Sequence, residues 1–371
     1  MKHNKPRILF IVQFPPPVHG SSMMCDYIRK SKLVNREFDC DYVNLSTSRK
    51  MSEIGKKPIL KLWRFLCMYM VVIGKLLMYK YDLAYIASTC YGIGFLKDMP
   101  FIVLCKMACK HVVLHQHNQG ARFYVHRRGY RWLMSRVYRG VKVILLSWNL
   151  YDDIKELTTR KNILICPNGI EPIPNEGKKC DNGDVNKKVT NIFFLSNLLR
   201  EKGVIELLDA AKQLKAEGLQ FCIDMVGGET ADYNCTSFQS EISIRRLTTV
   251  VKYHGSKYGD EKEPFWQQAD IFVLPTLREC FPLVICEAMQ HGLPCVATYE
   301  GAIPDIIDEG VTGMTFEKGN VAQLTSCLRK LIVDAELRKQ MGQAGYMKYK
   351  NMLTIDAFER RVVDCVKTCL Y

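Results

Sequence analysis

The chain has 371 residues, 48% hydrophobic and 24% charged, a balance that excludes disordered and fibrous classes and gives room for about two domains of ~100–200 residues. Lys and Arg outnumber Asp and Glu by 52 to 38, a net charge of +14. Residues 1–180 hold 30 basic against 12 acidic side chains (+18), and residues 181–371 hold 22 against 26 (−4), so one half is suited to an anionic partner.

In chain order, the first apolar run, Ile8–Val12, is followed by Gln13 and three prolines and is too short for a secretory leader, so the expected setting is cytoplasmic. Ile- and Val-rich runs predict strands at Arg7–Val12, Cys40–Asn44, Leu83–Ala87, His111–His115, Lys142–Leu146 and Asn162–Cys166. A second set follows at Asn191–Leu195, Gln220–Val226, Val250–His254, Ile271–Leu274, Pro294–Ala297 and Met314–Phe316. Near-continuous apolar strands separated by helical patterns imply parallel sheets covered on both faces. The polar break Glu171–Lys188, with Pro172, Pro174, Gly177 and Gly183, reads as a linker between two α/β domains. A last helix, about Thr354–Leu370, has no strand after it and suits either domain. The 16 cysteines show no Cys-x-x-Cys spacing, so reduced thiols fit better than disulfides or zinc ligands.

Two basic stretches stand out. Lys56–Lys80 contains Leu62–Met78, whose longest uncharged run, Phe65–Gly74, is shorter than the ~20 residues that span a bilayer. It fits either a helix on an anionic membrane surface, with Trp63, Phe65 and Tyr69 at headgroup level, or a helix buried against a sheet. Arg122–Lys142 carries only positive charge, interleaved with Tyr124, Tyr130, Trp132 and Tyr138. It reads as a solvated helix face; no nucleic-acid-binding motif accompanies it.

Ligands of parallel sheets bind outside the carboxyl ends of the strands, and in a two-domain chain those ends can face each other across a cleft. The candidate residues fall there. Gly20, with Ser21 and Ser22, closes the loop after the first strand and lets backbone N–H groups approach a phosphate, although the dinucleotide pattern G-x-G-x-x-G is missing. His115 and His117 end the fourth strand as metal ligands lacking an evident third, as hydrogen-bond donors to a substrate, or as structural histidines. Asn197, Arg200, Lys202 and Gly203 follow a strand and open the helical pattern Val204–Glu217, whose apolar face is Ile205, Leu208, Ala211 and Leu214; cations at a helix start make an anion site. Glu279 lies in the loop after Ile271–Leu274. Pro282 suits the first turn of the next helix, and Glu287 lies farther along it, leaning back toward its start. Such carboxylates suit sugar and ribose hydroxyls. Gly301 permits close backbone approach to a ligand. Asp39-Cys-Asp41, the one Asp-x-Asp, starts a predicted strand, so no metal is expected.

Together these motifs resemble the retaining glycosyltransferases of family 4, most specifically Glu279…Glu287 within Ala269-Asp-Ile-Phe-Val-Leu-Pro-Thr…Glu-Ala-Met…Gly-Leu-Pro-Cys-Val-Ala-Thr. Ser196…Lys202-Gly203, Pro167-Asn-Gly-Ile170 and Pro15-Pro-Pro-Val-His-Gly20 are similar to further segments of that family. The resemblance implies an α/β GT-B fold, two Rossmann-like domains with parallel sheets facing a central cleft: residues 1–170 for the acceptor, a linker at 171–189, residues 190–353 for the nucleotide-sugar donor, and a helix, 354–371, crossing back to the first domain. It implies catalytic roles for Glu279 near the reacting carbon, Lys202 at the diphosphate and His117 beside donor sugar and acceptor. Donor binding falls to Glu287 at the ribose, with Arg200, Asn197, Gly20, Gly203, Cys280, Phe281, Leu283 and Gly301. The family usually has Arg at the place of Asn197 and often has two glycines where this chain has His19-Gly20, so its phosphate contacts differ. The expected partners are a UDP- or GDP-linked sugar and a glycan or polyprenyl-diphosphate-linked acceptor at the inner membrane face, with no metal, cofactor or nucleic acid, in bacterial surface polysaccharide synthesis. The alternatives are a nucleotide-sugar epimerase of the same twin-domain shape, a nucleic-acid-binding protein using the basic half, and a catalytically inactive relative.

Overall fold

The computed structural model describes residues 5–16, 20–46, 58–174 and 189–371. The chain divides into two compact units, Met1–Gly169 with Ile355–Tyr371, and Ile170–Thr354. The loop residues Pro17-Val-His19 and most of the stretch read as a linker, 175–188, lie outside the described residues. Glu171–Pro174, read with that linker, belong to the second unit, where the Glu171 carbonyl accepts from Gln290 Nε2 at 2.8 Å and the Ile170 N–H donates to the Leu353 carbonyl at 2.9 Å.

Each unit is built on a six-stranded sheet whose pairings are all parallel. The first holds β1 (Arg7–Val12), β2 (Asp39–Asn44), β3 (Leu83–Ser88), β4 (His111–Gln116), β5 (Lys142–Leu145) and β6 (Ile163–Ile165), in the spatial order β2-β1-β3-β4-β5-β6. The second holds β7 (Thr190–Leu195), β8 (Phe221–Val226), β9 (Val251–Tyr253), β10 (Ile271–Leu274), β11 (Cys295–Thr298) and β12 (Gly313–Phe316), in the order β12-β11-β10-β7-β8-β9. The predicted strands all form, each within one residue at either end. The reason lies in burial: every residue of β3 is buried, as is Ile8–Val12 of β1, so inner strands must be apolar on both faces. At the edge, β2 can carry Asp39, Asp41 and Asn44.

Helix α1 (Gly20–Lys30), the short α2 (Lys32–Glu37) and the last helix, Ile355–Leu370, cover one face of the first sheet. Met24, Cys25 and Ile28 from α1 and Phe358, Val362 and Val366 from the last helix share a core with Phe10, Tyr85, Val113 and Ile144. Each such buried side chain contributes about 1.5–3 kcal/mol.

Helix α3 (Pro58–Met78) corrects part of the sequence reading. Phe65 and Tyr69 turn inward, edge-on to Phe101 of α4 (Gly92–Ala108) at 5.4 and 5.5 Å, and Val72, one turn further, is buried. These positions share one helical face. The opposite face leaves Trp63, Met70 and Leu77 exposed at 65%, 63% and 82%. Thus Trp63 points outward while Phe65 and Tyr69 do not. No described helix is long and apolar enough to cross a membrane.

Asp41 ties α3 to the sheet edge. Its carboxylate accepts from Lys75 Nζ at 2.6 Å, Tyr81 OH at 2.8 Å and Arg7 Nη2 at 3.0 Å. Burial alone raises its pKa, but the bonds from Lys75, Tyr81 and Arg7 outweigh it and hold the carboxyl below its usual range. A carboxyl depressed in the folded state adds stability above its unfolded value, about 3.9, and loses it as pH falls through the folded value. Asp41→Asn is therefore expected to cost about 1.5–3 kcal/mol at pH 7, and the gap to wild type to narrow below about pH 4. Thermal melts at pH 7 and pH 3 check this; a constant gap, or none, refutes the assignment.

Candidate active site

In the second sheet the strand order reverses between β7 and β10. Chains leaving the carboxyl ends of these neighbours diverge to opposite faces, opening the crevice where α/β sheets bind ligands. Lys202 follows β7 and Glu279 follows β10, so they straddle this point. The structure brings them into contact: Lys202 Nζ donates to Glu279 Oε2 at 2.7 Å, with the two side chains only 18% and 19% exposed. The other carboxylate oxygen, Oε1, accepts from the Cys280 N–H at 3.0 Å.

Local backbone explains the meeting. Residues Arg200–Lys202 form one tight helical turn ended by Gly203 at φ 72°, which also caps the helix Val204–Ala216. A Cβ on Gly203 would lie 1.8 Å from the Pro275 carbonyl oxygen, so only glycine lets this turn touch the β10 loop. The Leu277 N–H and Thr276 Oγ1 donate to the Glu201 carbonyl at 2.7 and 3.1 Å, stitching the two loops. Gly301 acts likewise: at φ 56° its Cβ would lie 2.1 Å from the Glu279 carbonyl oxygen, and the neighbouring Ala302 N–H donates to the Cys280 carbonyl at 2.8 Å.

Glu287 sits in the helix Leu283–Gln290 and accepts from Lys262 Nζ at 2.7 Å. The two glutamates are thus held by separate lysines, and Lys262 is a residue the sequence reading missed. Pro282 is the extended residue capping this helix, just before the first turn in which it was expected. Phe281 is buried, Cys280 and Leu283 half-buried. In the helix Val204–Ala216 the buried face is Val204, Leu207, Leu208, Ala211 and Leu214, with Ile205 only half-buried. Asn197 has a scaffolding contact: its Oδ1 accepts from the Gly228 N–H at 3.0 Å, while the Leu198 N–H donates to the Gly228 carbonyl at 2.8 Å. The Gly227-Gly228 loop after β8 was visible in sequence as two glycines at a strand end but was not singled out. The Arg200 side chain is exposed, and its backbone N–H donates to Asp232 Oδ2 at 2.8 Å.

In the first unit, His117 follows β4, and its ring lies 4.0 Å, centroid to centroid, from that of His115. His115 is fully buried, its Nδ1 hydrogen-bonded to the Tyr85 hydroxyl. Burial, with His117 adding to it, drives the His115 imidazole well below its ordinary pKa, so it stays neutral and structural. The loop after His117 is fixed by Asp153, whose carboxylate accepts the N–H groups of Gly120, Ala121 and Arg122 at 2.8, 2.9 and 3.2 Å. Asn118 Oδ1 accepts from the Cys90 N–H at 3.1 Å. Gly20 begins α1 and is exposed. Among the described residues no group of three or more His, Cys, Asp or Glu side chains is disposed to hold a metal ion.

Residues 178–348 match the model of the family described as Glycosyl transferases group 1. This stretch, which falls in the second unit, is thus similar to group 1 glycosyltransferase domains. Over 96 residues the chain is 42% identical to the sulfoquinovosyl transferase SQD2 of Arabidopsis thaliana, covering 25% of this chain and 19% of that protein. It is 26% identical to the capsular polysaccharide biosynthesis glycosyltransferase CapM of Staphylococcus aureus over 43% of this chain and 41% of that one. These matches leave more than half of each relative's length uncovered. The whole fold is shared with Anabaena Alr3699/HepE, solved in complex with UDP, at a TM-score of 0.73 and 18% identity over 98% of this chain and 100% of that one. The architecture is therefore the GT-B fold of glycosyltransferases.

Proposed function

We propose that the chain is a retaining glycosyltransferase of family 4 that moves a sugar from a UDP- or GDP-linked donor to a glycan or polyprenyl-diphosphate-linked acceptor, in the building of a bacterial surface polysaccharide. The observation that carries this reading is the Lys202–Glu279 contact of 2.7 Å at the strand-order reversal. The relative acting in capsule synthesis and the neighbour solved with UDP support it.

The paired charges match those that develop in the reaction. As the bond from the anomeric carbon to the diphosphate oxygen breaks, the leaving group gains negative charge and the sugar becomes oxocarbenium-like. A lysine ammonium has three donors; one is used on Glu279, and the others can meet the diphosphate. Glu279, fixed by Lys202 and the Cys280 N–H, supplies negative charge for the sugar. Such preset charges stabilise a transition state without reorganising. The acceptor oxygen bonds to the same face of the carbon, and its proton passes to the departing diphosphate oxygen. Glu287 takes the ribose hydroxyls, and the role proposed for His117 is contact with donor sugar and acceptor. The diphosphate charge is met by protein cations, so no metal is required.

The excess charge of residues 1–180 and the exposed apolar face of α3 fit work at the inner surface of an anionic membrane, where a lipid-linked acceptor resides. The donor reading is tested by thermal shift with a panel of UDP- and GDP-sugars, since a ligand at 100 times its Kd adds about 2.7 kcal/mol of stability. One nucleotide family is expected to stabilise the wild type, and Glu287→Gln to lose that shift while melting like wild type without ligand. No shift from any nucleotide sugar defeats the proposal.

A further inference from the structure

The amino ends of β4, β5 and β6 line a half-open pocket of about 290 Å³ that the chemistry above does not use. Lys106, Lys110, His111 and Lys142 line it, and no Asp or Glu does. Lys106 Nζ is drawn in by the carbonyls of Arg136, Val137 and Arg139 at 2.7, 3.3 and 2.7 Å, the closing turn of the helix Arg128–Tyr138. Lys142 Nζ donates to the Thr368 carbonyl at 2.8 Å, near the end of the last helix. Carbonyl groups thus fix these two ammonium groups without cancelling their charge; of the three lysines only Lys110 has a carboxylate among the described residues, Asp82 at 2.6 Å. Burial, with Arg139 adding to it, lowers the pKa of Lys106, as expected where positive charge is concentrated.

We infer that this pocket binds a phosphate group. Lys110 and Lys142 each keep donors beyond their one bond, and an anion there relieves the repulsion among the cations. The site is separate from the candidate active site: β4 begins in the pocket with His111 and ends just before His117, about 20 Å away at ~3.3 Å per residue. The phosphate is carried either by the headgroup of an anionic lipid or by a soluble ester. The headgroup is favoured by Val103 and Met107, which flank Lys106 on α4 and are 44% and 82% exposed. Apolar side chains beside a basic pocket suit the boundary between headgroup and acyl chain.

The test uses the full chain and the variant Lys110→Gln/Lys142→Gln. Its probes are phosphatidylcholine vesicles with and without phosphatidylglycerol, and inorganic phosphate alone. Lys32→Gln/Lys155→Gln removes the same charge from exposed positions of the first unit that do not line the pocket. Loss of at least tenfold in affinity for the anionic vesicles in the pocket variant, against less than twofold in the control, supports the inference and assigns the phosphate to lipid. Equal vesicle binding, with inorganic phosphate raising the Tm of wild type but not of the pocket variant, supports it and assigns a soluble ester. Equal behaviour of the pocket variant and wild type with both probes overturns it. An unchanged Tm shift with nucleotide sugar shows that the variant is folded; if the double variant is not, Lys110→Gln alone, altering an exposed pair, replaces it. That control also separates failure of the pocket from failure of the donor reading.

Discussion

Lys202→Ala is expected to lower the rate of sugar transfer about 10²–10³-fold, the ~2.7–4 kcal/mol that one preset charged contact to a developing anion supplies. The effect should fall on kcat, because the leaving oxygen carries its full charge only in the transition state. Stability should fall by about 1–3 kcal/mol, because the pair is largely buried at 18% and 19% exposed while Glu279 keeps the Cys280 N–H. Lys202→Arg keeps the charge but replaces a compact ammonium with a planar fork, and should recover only part of the rate. Wild-type turnover should survive EDTA; abolition by EDTA with rescue by Mg²⁺ would hand the leaving group to a metal. A loss of less than tenfold in a folded Lys202→Ala protein ends the assignment.

Gly203→Ala should be the more damaging change, although it adds a single carbon. At φ 72° an alanine is held in the left-handed region, at a cost of about 1–2 kcal/mol. Its Cβ also meets the Pro275 carbonyl oxygen, a backbone atom at 1.8 Å that can retreat only if the β10 loop moves. The expected loss is at least about 2 kcal/mol, a fall in Tm of roughly 4–8 °C. Moving that loop also moves Glu279 from Lys202, and a misplacement of about 1 Å costs on the order of 10²-fold in rate. Gly218→Ala is the matched control: its φ is 79°, but nothing lies within 4 Å of the added carbon. It should show the strain without the loss of activity. If both variants melt and turn over alike, the contact with Pro275 is not what holds the site together.

The strands were legible because a strand buried on both faces must be apolar, and such runs as Arg7–Val12 and Ile271–Leu274 have no other ready reading. Lys202 and Glu279 were legible because each follows a strand. Their 2.7 Å contact was not, since they are 77 residues apart and meet only through the strand order. Lys262 escaped notice for the same reason: nothing near it in sequence announces Glu287, its partner. Asn197 was weighed as a phosphate ligand, but its bond to Gly228 depends on how β7 and β8 lie side by side. For Phe65 and Tyr69 the membrane-facing and buried readings both stood open, because an aromatic cluster among lysines looks the same from either side; Phe101 on a neighbouring helix decides which side is inward.

The helix Ile355–Leu370 completes the core around Phe10 and Tyr85, with all of Ile170–Thr354 intervening along the chain. During synthesis the ribosome must finish this whole interior stretch before the first unit receives its closing piece. Until then the nascent protein exposes the greasy bed where Phe358, Val362 and Val366 will lie, so its opening half is the last to mature and the one most in need of shelter from chaperones.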